Sequence, residues 1–544
     1  MHSADAAVIV DDISFSWPDG TPVFTGLRAT FTPGVTGLIG ANGAGKTTLL
    51  RLIAAELTLH AGRIHAPGRT GRVPQLVAED AGATVSDLLG ISRVRAALRA
   101  IEAGSLADSD YETVGEDWDI EPRALALLGR FGFAATAQLL DTPATRLSGG
   151  QASKIALLGA RLAAWDVTLL DEPTNNLDAP TRGFVYDALT DWPGVVIVAS
   201  HDRTLLNLAG HIADLDPRGI RSFRGNFDEY RHYAAGRQAA AERRLAEAEA
   251  ELARAKRRLA AEREREQQRN RVARRERAAG NVSKAVADYF ANRAEKNAGG
   301  KAGLHATAVR AAMEARAEAD AAARTPETIR IDLPETALAH GKQVLAFELA
   351  GDRFDLRGPE RIRITGINGA GKSTLLGWLT GSVPESGRYP RSVLGDARLL
   401  VGPTVPVGVL KQRHDDLDQF ATPLDAIAAS ARSRSPHEAR RLLARFNLTG
   451  DAPVRPIGTL SGGERFKVAL ARVLFAVPAP QLLVLDEPAN NLDVASLTQL
   501  AEALASYRGA LLVVTHDERL TADLGLDQTW TVTAGRNGIR LNRS

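Results

Sequence analysis

At 544 residues, with 44% apolar side chains, the chain is long enough for about three or four domains with cores of their own. A formal net charge of +2 selects no partner for the chain as a whole, and the absence of cysteine excludes disulfides, thiolate zinc sites and iron–sulfur clusters. No apolar run approaches the roughly 20 residues of a spanning helix, and Met1 to Asp12 lacks a basic region followed by an apolar one, so a soluble, cytoplasmic protein is expected.

In chain order, Val8-Ile9-Val10 and Ile13 to Trp17 are strand-like, a Pro-Asp-Gly turn follows, and the apolar run Val35 to Ile39 leads into Gly40-Ala41-Asn42-Gly43-Ala44-Gly45-Lys46-Thr47. This fits the phosphate-cradling pattern G-x-x-x-x-G-K-[ST] between a strand and a helix. Glycines let the backbone wrap a polyphosphate, N–H groups at the helix start point at it, Lys46 reaches the outer phosphates and Thr47 offers a hydroxyl to Mg²⁺. The loop recurs as Gly366-Ile367-Asn368-Gly369-Ala370-Gly371-Lys372-Ser373, with Thr374 where Thr48 stands. Two such loops, each with the same neighbours, predict two bound nucleotides. The duplication has a period near 325 residues, which is two complete domains rather than a solenoid.

Each module continues with a buried-strand run ending in paired carboxylates, Val167 to Glu172 and Leu482 to Glu487. Such ends are where an α/β sheet presents ligand groups. Two adjacent acids there are costly to bury without a cation, so Asp171 and Asp486 are expected to hold Mg²⁺, while Glu172 and Glu487 polarise the attacking water. His201 and His516 each follow an apolar strand in the same setting.

Between the modules, Tyr230 to Arg324 is rich in Ala, Arg and Glu. Leu245, Leu252 and Leu259 recur at seven, with Ala241, Ala248 and Ala255 in register, as in a coiled-coil seam. Leu304 to Ala323 reads as a second helix, with turn residues at Ala278 to Asn281 and Asn297 to Gly300. A projecting helical hairpin is expected. From Arg254 to Lys301 there are 15 Lys and Arg against 6 Asp and Glu, a local +9, so the remainder carries −7. The Glu-rich half before Arg254 reads as a solvated face. The one-sided excess at Arg269, Arg271, Arg274, Arg275 and Arg277, continued by Lys284, favours contact with a phosphate backbone. Tyr289 and Phe290 either stack on a base or anchor the tip.

The resemblance then becomes specific. Leu147-Ser148-Gly149-Gly150-Gln151 and Leu460-Ser461-Gly462-Gly463-Glu464 resemble the signature motif of ATP-binding cassette ATPases, and Asp171 to Asp178 their Walker B and D-loop. His201 and His516 resemble the switch histidines, Gln75 and Gln412 the Q-loop glutamines that also touch Mg²⁺, and Trp17 the adenine-stacking aromatic. The resemblance implies an α/β fold: two P-loop ABC-type ATPase domains, at 1–228 and 326–544, joined by an α-helical hairpin linker at 229–325. It implies ATP and Mg²⁺ as cofactors, and head-to-tail pairing within one monomer. Ser461 would then complete the Lys46 site and Ser148 the Lys372 site. The second module departs at Ala489, where the first has Thr174, and at Gln343, where no aromatic stands 29 residues before Lys372; Phe347 is the nearest substitute. Unequal hydrolysis at the two sites is expected.

Tandem cassettes without a membrane domain, around a charged helical linker, resemble the ABC-F family of ribosome-associated ATPases. In that family the linker approaches P-site tRNA and the peptidyl-transferase centre, so the implied partners are the ribosome, with its 23S rRNA, and P-site tRNA. The recycling type needs cysteine-ligated clusters and the DNA-repair type zinc cysteines; DNA is therefore not an expected partner. Gln75 to Ser148 exceeds Gln412 to Ser461 by 24 residues, yet Gly104 to Tyr111 reads as a loop, so the helical arm of many relatives is expected to be short or absent. A missing arm, a long linker and Arg-rich composition resemble actinobacterial resistance members, which favours ribosome protection against antibiotics. A housekeeping translation factor of the same family is the nearest alternative. An exporter's ATPase subunit is the next; it would need a separate membrane partner and leaves the basic hairpin without a task.

Overall fold

The computed structural model describes residues 7–73, 82–175, 177–216, 218–278, 306–320, 323, 333–381, 391–411, 414–430, 435–489, 492–526, 528–535 and 538–543. The chain divides into two compact units: Met1–Phe227 together with Thr328–Ser544, and Asp228–Glu327.

In the first cassette the strands are β1 (Val8–Ser16), β2 (Pro22–Phe31), β3 (Gly34–Gly40), β4 (Ala61–His65), β5 (Thr70–Val73), β6 (Val167–Asp171), β7 (Val195–Ala199), β8 (His211–Asp216) and β9 (Gly219–Arg224). They make an antiparallel sheet, β2-β1-β4, and a six-stranded sheet, β5-β6-β7-β3-β8-β9, parallel except at the β9 edge. Every residue of β6 and β7 is buried. Their unbroken Val, Leu and Ile runs follow from that, since a parallel strand is covered on both faces, and each such side chain contributes about 1.5–3 kcal/mol on burial.

The second cassette repeats this with β10 (Gln343–Leu349), β11 (Asp352–Arg357), β12 (Arg361–Thr365), β13 (Arg398–Val401), β14 (Val407–Leu410), β15 (Leu482–Asp486), β16 (Ala510–Val514), β17 (Gln528–Gly535) and β18 (Gly538–Arg543). Its sheets run β11-β10-β13 and β14-β15-β16-β12-β17-β18, the same order strand for strand. In both, the phosphate-loop strand lies between the switch-histidine strand and the last parallel one. The carboxyl ends of β3, β6 and β7 are thereby neighbours.

Helices α1 (Lys46–Ile53), α2 (Ser92–Glu102), α3 (Asp108–Val114), α4 (Gly149–Leu162), α5 (Ala179–Thr190) and α6 (Arg203–Leu206) are the ones used below in the first cassette. Gly104 to Tyr111 is not all loop: α3 begins at Asp108, pairs with α2, and sets Tyr111 against Trp118 with ring centroids 6.1 Å apart. Asp108 and Asp110 in its first turn suit the positive end of a helix dipole. A short helical arm is therefore present. Among the described residues, the second cassette passes from Pro423–Ser430 to Pro436–Ala444 with no such pair.

In the linker unit, α7 (Phe227–Ala278) is 52 residues, about 78 Å at 1.5 Å per residue. Helix α8 covers 306–320. Gln238 Nε2 donates to the Ala323 carbonyl at 2.9 Å and Arg316 lies 3.5 Å from Glu249, so the two runs are antiparallel. Leu245, Leu252 and Leu259 are half-buried, and Ala255 and Ala312 are buried. The small Ala faces let the two backbones approach along the predicted seam. Arg271 and Arg275 are exposed on α7, while the side chains of Arg269, Arg274 and Arg277, and the whole of Lys284, Tyr289 and Phe290, lie outside the described residues.

Candidate functional site

The first site begins at β3. Gly45 closes the loop at φ 99° as the N-cap of α1; a Cβ there would come within 2.7 Å of the Phe24 ring. Gly40 rests against Leu215, whose carbonyl oxygen would lie 2.4 Å from an added Cβ. Larger residues at either position would push the loop off the sheet. Lys46 is buried, and its Nζ donates to the carbonyls of Gly40 at 2.8 Å and Ala41 at 3.3 Å. Burial lowers its pKa, opposed by the negative charges of Glu172, Asp493 and Asp171.

Thr47 Oγ1 donates to Asp171 Oδ1 at 3.2 Å, while Thr48 is buried against the helix base. A hydroxyl and a carboxylate side by side are oxygen donors of the kind Mg²⁺ takes. Asp171, at the end of β6, is raised by burial and held down by Thr47 and by Arg72, 3.8 Å away. Glu172 follows at φ 48°, a left-handed conformation costly for a side chain with a Cβ. Its Oε1 lies 3.2 Å from His201 Nε2, while Oε2 is buried with no hydrogen-bond partner. Burial pushes Glu172 up to about 8 and His201 down to about 3, so the histidine is neutral. A cradle shaped by glycine, a buried lysine, paired oxygen donors and one unpartnered carboxylate oxygen fit a magnesium nucleoside polyphosphate and a water beside it. Trp17 stands half-buried at the end of β1, edge-on to Phe15 at 5.2 Å.

In the second site, helix α9 (Lys372–Thr380) starts after Gly371 at φ 95°. Lys372 Nζ donates to Gly366 O at 2.8 Å, Ile367 O at 3.3 Å and Asn368 Oδ1 at 3.4 Å. Burial again lowers its pKa, and Ser373 hydrogen-bonds Asp486, whose pKa burial raises. Thr374 is half-buried beside them. Glu487 repeats the left-handed backbone at φ 47°, but its Oε1 lies 3.9 Å from Lys372 Nζ. His516, lowered to about 4 by burial, has neither ring nitrogen in a hydrogen bond. Phe347 cannot serve as a base platform: it is fully buried among Phe354, Trp378 and Trp530. Ala346 pairs with Asp355 and Val401 as Val10 pairs with Ala29 and Ile64, so β10, which ends at Leu349, stops short of the place that Trp17 takes at the end of β1. Gln75 and Gln412 lie outside the described residues.

Ser148 and Ser461 cap the helices α4 and α10 (Gly462–Leu474). Ser148 accepts from Gln151 N at 3.2 Å and its own N–H donates back to Gln151 Oε1 at 2.9 Å. Ser461 makes the same reciprocal box with Glu464, at 3.3 and 2.9 Å. The N–H groups of Gly149 and Gly150, and of Gly462 and Gly463, open these helices and add to their positive ends. Glu464 also pairs with Arg455.

The residues that sequence reasoning left out are Asp178 and Asp493. Asp178 caps α5 by accepting from Thr181 N at 3.1 Å, and it also accepts from Asn368 N of the second phosphate loop at 3.3 Å. Asp493 caps α11 (Val494–Ala505) through Ser496 N at 2.7 Å and accepts from Asn42 N of the first phosphate loop at 3.0 Å. Each phosphate loop is thus tied to the helix following the opposite cassette's carboxylate pair. The cap was readable in Asp-x-x-Thr and Asp-x-x-Ser; the bond across the cassettes needs the fold.

A family model described as ABC transporter matches residues 25–175 and 349–490. The chain is 33% identical over 539 residues to the tylosin resistance ATP-binding protein TlrC of Streptomyces fradiae, covering 92% of this chain and 93% of that protein. It is 29% identical over 512 residues to ATP-binding cassette sub-family F member 3 of Pongo abelii, covering 89% of this chain and 65% of the relative. Among solved structures, a chain in the crystal structure of archaeal ribosomal stalk protein aP1 with the archaeal ribosome recycling factor aABCE1 aligns with a TM-score of 0.53 at 17% identity, covering 97% of this chain and 89% of that one, a likeness of fold. Among the described residues no helix is long and apolar enough to cross a membrane. With two matched cassettes and relatives of this kind along nearly its whole length, the chain belongs to the ABC-F family of ATP-binding cassette ATPases.

Proposed function

We propose that this protein is a ribosome-associated clamp with two composite ATP sites, and that its cargo is the linker hairpin, set near P-site tRNA and the peptidyl-transferase centre to protect the ribosome from an antibiotic. The observation that carries the clamp is the reciprocal pair of bonds, Asn42 N to Asp493 and Asn368 N to Asp178. A phosphate loop fastened to the other cassette's helix cannot be loaded or emptied without that cassette registering it. The ribosome reading rests on the local +9 of Arg254 to Lys301. The protective reading rests on the likeness to the tylosin resistance protein.

Bound ATP supplies the phosphoanhydride to be cleaved, and Mg²⁺ neutralises its charge. Thr47 with Asp171, and Ser373 with Asp486, would hold the cation, jointly with Gln75 and Gln412. Lys46 and Lys372 neutralise the outer phosphates, and Trp17 stacks on the first base. Ser461 and the helix start behind it close the Lys46 site; Ser148 closes the Lys372 site. Glu172 takes the proton of the attacking water at Oε2 while His201 holds Oε1. Glu487 takes the same part in the second site, beside Lys372 and without a hydrogen bond from His516. Loss of the γ-phosphate loosens the joint and frees the hairpin.

The test is the double variant Glu172→Gln with Glu487→Gln. It should bind ATP, lose roughly 10²–10⁴ of its turnover, and co-sediment with ribosomes in the presence of ATP. Normal hydrolysis by that variant contradicts the base assignment. Failure to co-sediment contradicts the ribosome reading. A panel of peptidyl-transferase and exit-tunnel inhibitors, tylosin included, then separates protection from general translation.

A further inference from the structure

Arg203 sits two residues after His201, at the first position of α6, with its side chain only 7% exposed. It points out of its own cassette. Nη1 donates to Asp523 Oδ2 at 3.2 Å and Nη2 to Thr498 Oγ1 at 3.2 Å, both in the second cassette. Thr498 lies on α11, whose cap Asp493 already accepts from Asn42, and Asp523 ends α12 (Glu518–Asp523). The first cassette therefore grips α11 twice, at position 493 from its phosphate loop and at 498 from its switch segment. A buried guanidinium is retained in such a place only with fixed partners, and its planar fork suits a two-point grip.

The other side differs at the corresponding position. Glu518 occupies the corresponding position after His516, and it turns to Arg363 of its own cassette at 2.8 Å. Arg363 in turn stands where β3 has Gly37: Ile364 pairs with Val514 as Leu38 pairs with Ala199, each two residues before a switch histidine. One switch segment is stapled to its partner cassette and the other is folded back on itself.

We propose that Arg203 is a positioning residue that couples hydrolysis at the Lys46 site to the seating of the second cassette, and that the coupling is one-sided. The chain of contacts is closed: phosphate loop, Asn42, Asp493, α11, Thr498, Arg203, and back through His201 to Glu172. Displacing α11 drags the switch segment and shifts His201 against Glu172 Oε1. On the opposite face the corresponding Glu518 is held within its own cassette by Arg363, so the same displacement does not pull on His516 through it. This rests on the composite-site reading above.

The experiment places Arg203→Ala in full-length protein in two backgrounds, Glu487→Gln, where only the first site turns over, and Glu172→Gln, where only the second does. In the first background kcat should fall about tenfold with KM changed by less than about twofold, as expected for an interaction made only on the way to the transition state. In the second background kcat should stay within about twofold. Arg203→Lys should recover part of the loss, and Thr498→Ala with Asp523→Ala should reproduce it. Equal loss in both backgrounds would reduce Arg203 to general interface packing and overturn the proposal, as would no loss in either. A thermal melt matching the parent confirms that kcat, not folding, has been read. Wild-type turnover in the double Gln variant would instead bring down the site assignment, and this proposal with it.

Discussion

The two phosphate-loop sites are built from the same strands in the same order, yet they are furnished differently. The first has Trp17 at the mouth, Arg72 beside Asp171, His201 on Glu172 at 3.2 Å, and Arg203 reaching across to the other cassette. The second has a first strand that stops at Leu349, short of Trp17's place, Val409 for Arg72, a histidine with neither nitrogen engaged, and Glu518 turned homeward. What both keep is the phosphate loop, the left-handed glutamate and the capped signature helix. Duplication preserved the parts that the phosphates and the attacking water require. It let the parts that grade affinity and timing diverge.

The largest effect should come from the glutamates, where either Glu→Gln change removes roughly 10²–10⁴ of the turnover of its own site. Single-turnover phosphate release resolves the two phases. Next, Leu349→Ala should destabilise the fold by about 2–5 kcal/mol as a cavity in a packed core. Trp17→Ala, at the exposed end of the first cassette's longer hairpin, should instead cost on the order of 1–3 kcal/mol of nucleotide affinity by lost stacking. A thermal melt and a fluorescent-nucleotide titration separate the two, and equal affinity losses would mean that Leu349 faces a base after all. His201→Ala should slow the first site about tenfold, near 1.4 kcal/mol of barrier, and His516→Ala should slow the second by less. The smallest difference is expected at the caps. Glu464→Ala should cost roughly 0.5–1 kcal/mol more stability than Gln151→Ala, because only the former removes a charge from a helix N-terminus; denaturant titration reads it.

Much of this was legible in the residues. Two glycine loops, two carboxylate-ended apolar strands and a repeated order suffice for two α/β cassettes, because parallel strands buried on both faces must read as unbroken Val, Leu and Ile. The heptad in α7 was legible for the same reason of burial. The helix inside the expected loop at Gly104 to Tyr111 was not, because Asp108-Ser109-Asp110 uses the residue types that favour loops and first turns of helices alike. Phe347 misled because an aromatic near a phosphate loop looks like a base platform until strand register puts it in the core. Asp178 and Asp493 announce a helix cap from sequence, whereas their bonds to Asn368 and Asn42 join segments 190 and 451 residues apart.

Both sites carry the phosphate loop and the left-handed glutamate, and the first is the better organised of the two. Steady-state ATP hydrolysis by Glu487→Gln and by Glu172→Gln, measured side by side at saturating ATP, tests it most directly. Measurable turnover is expected in both, with the higher rate in Glu487→Gln, where the Lys46 site still works. A higher or equal rate in Glu172→Gln would contradict it.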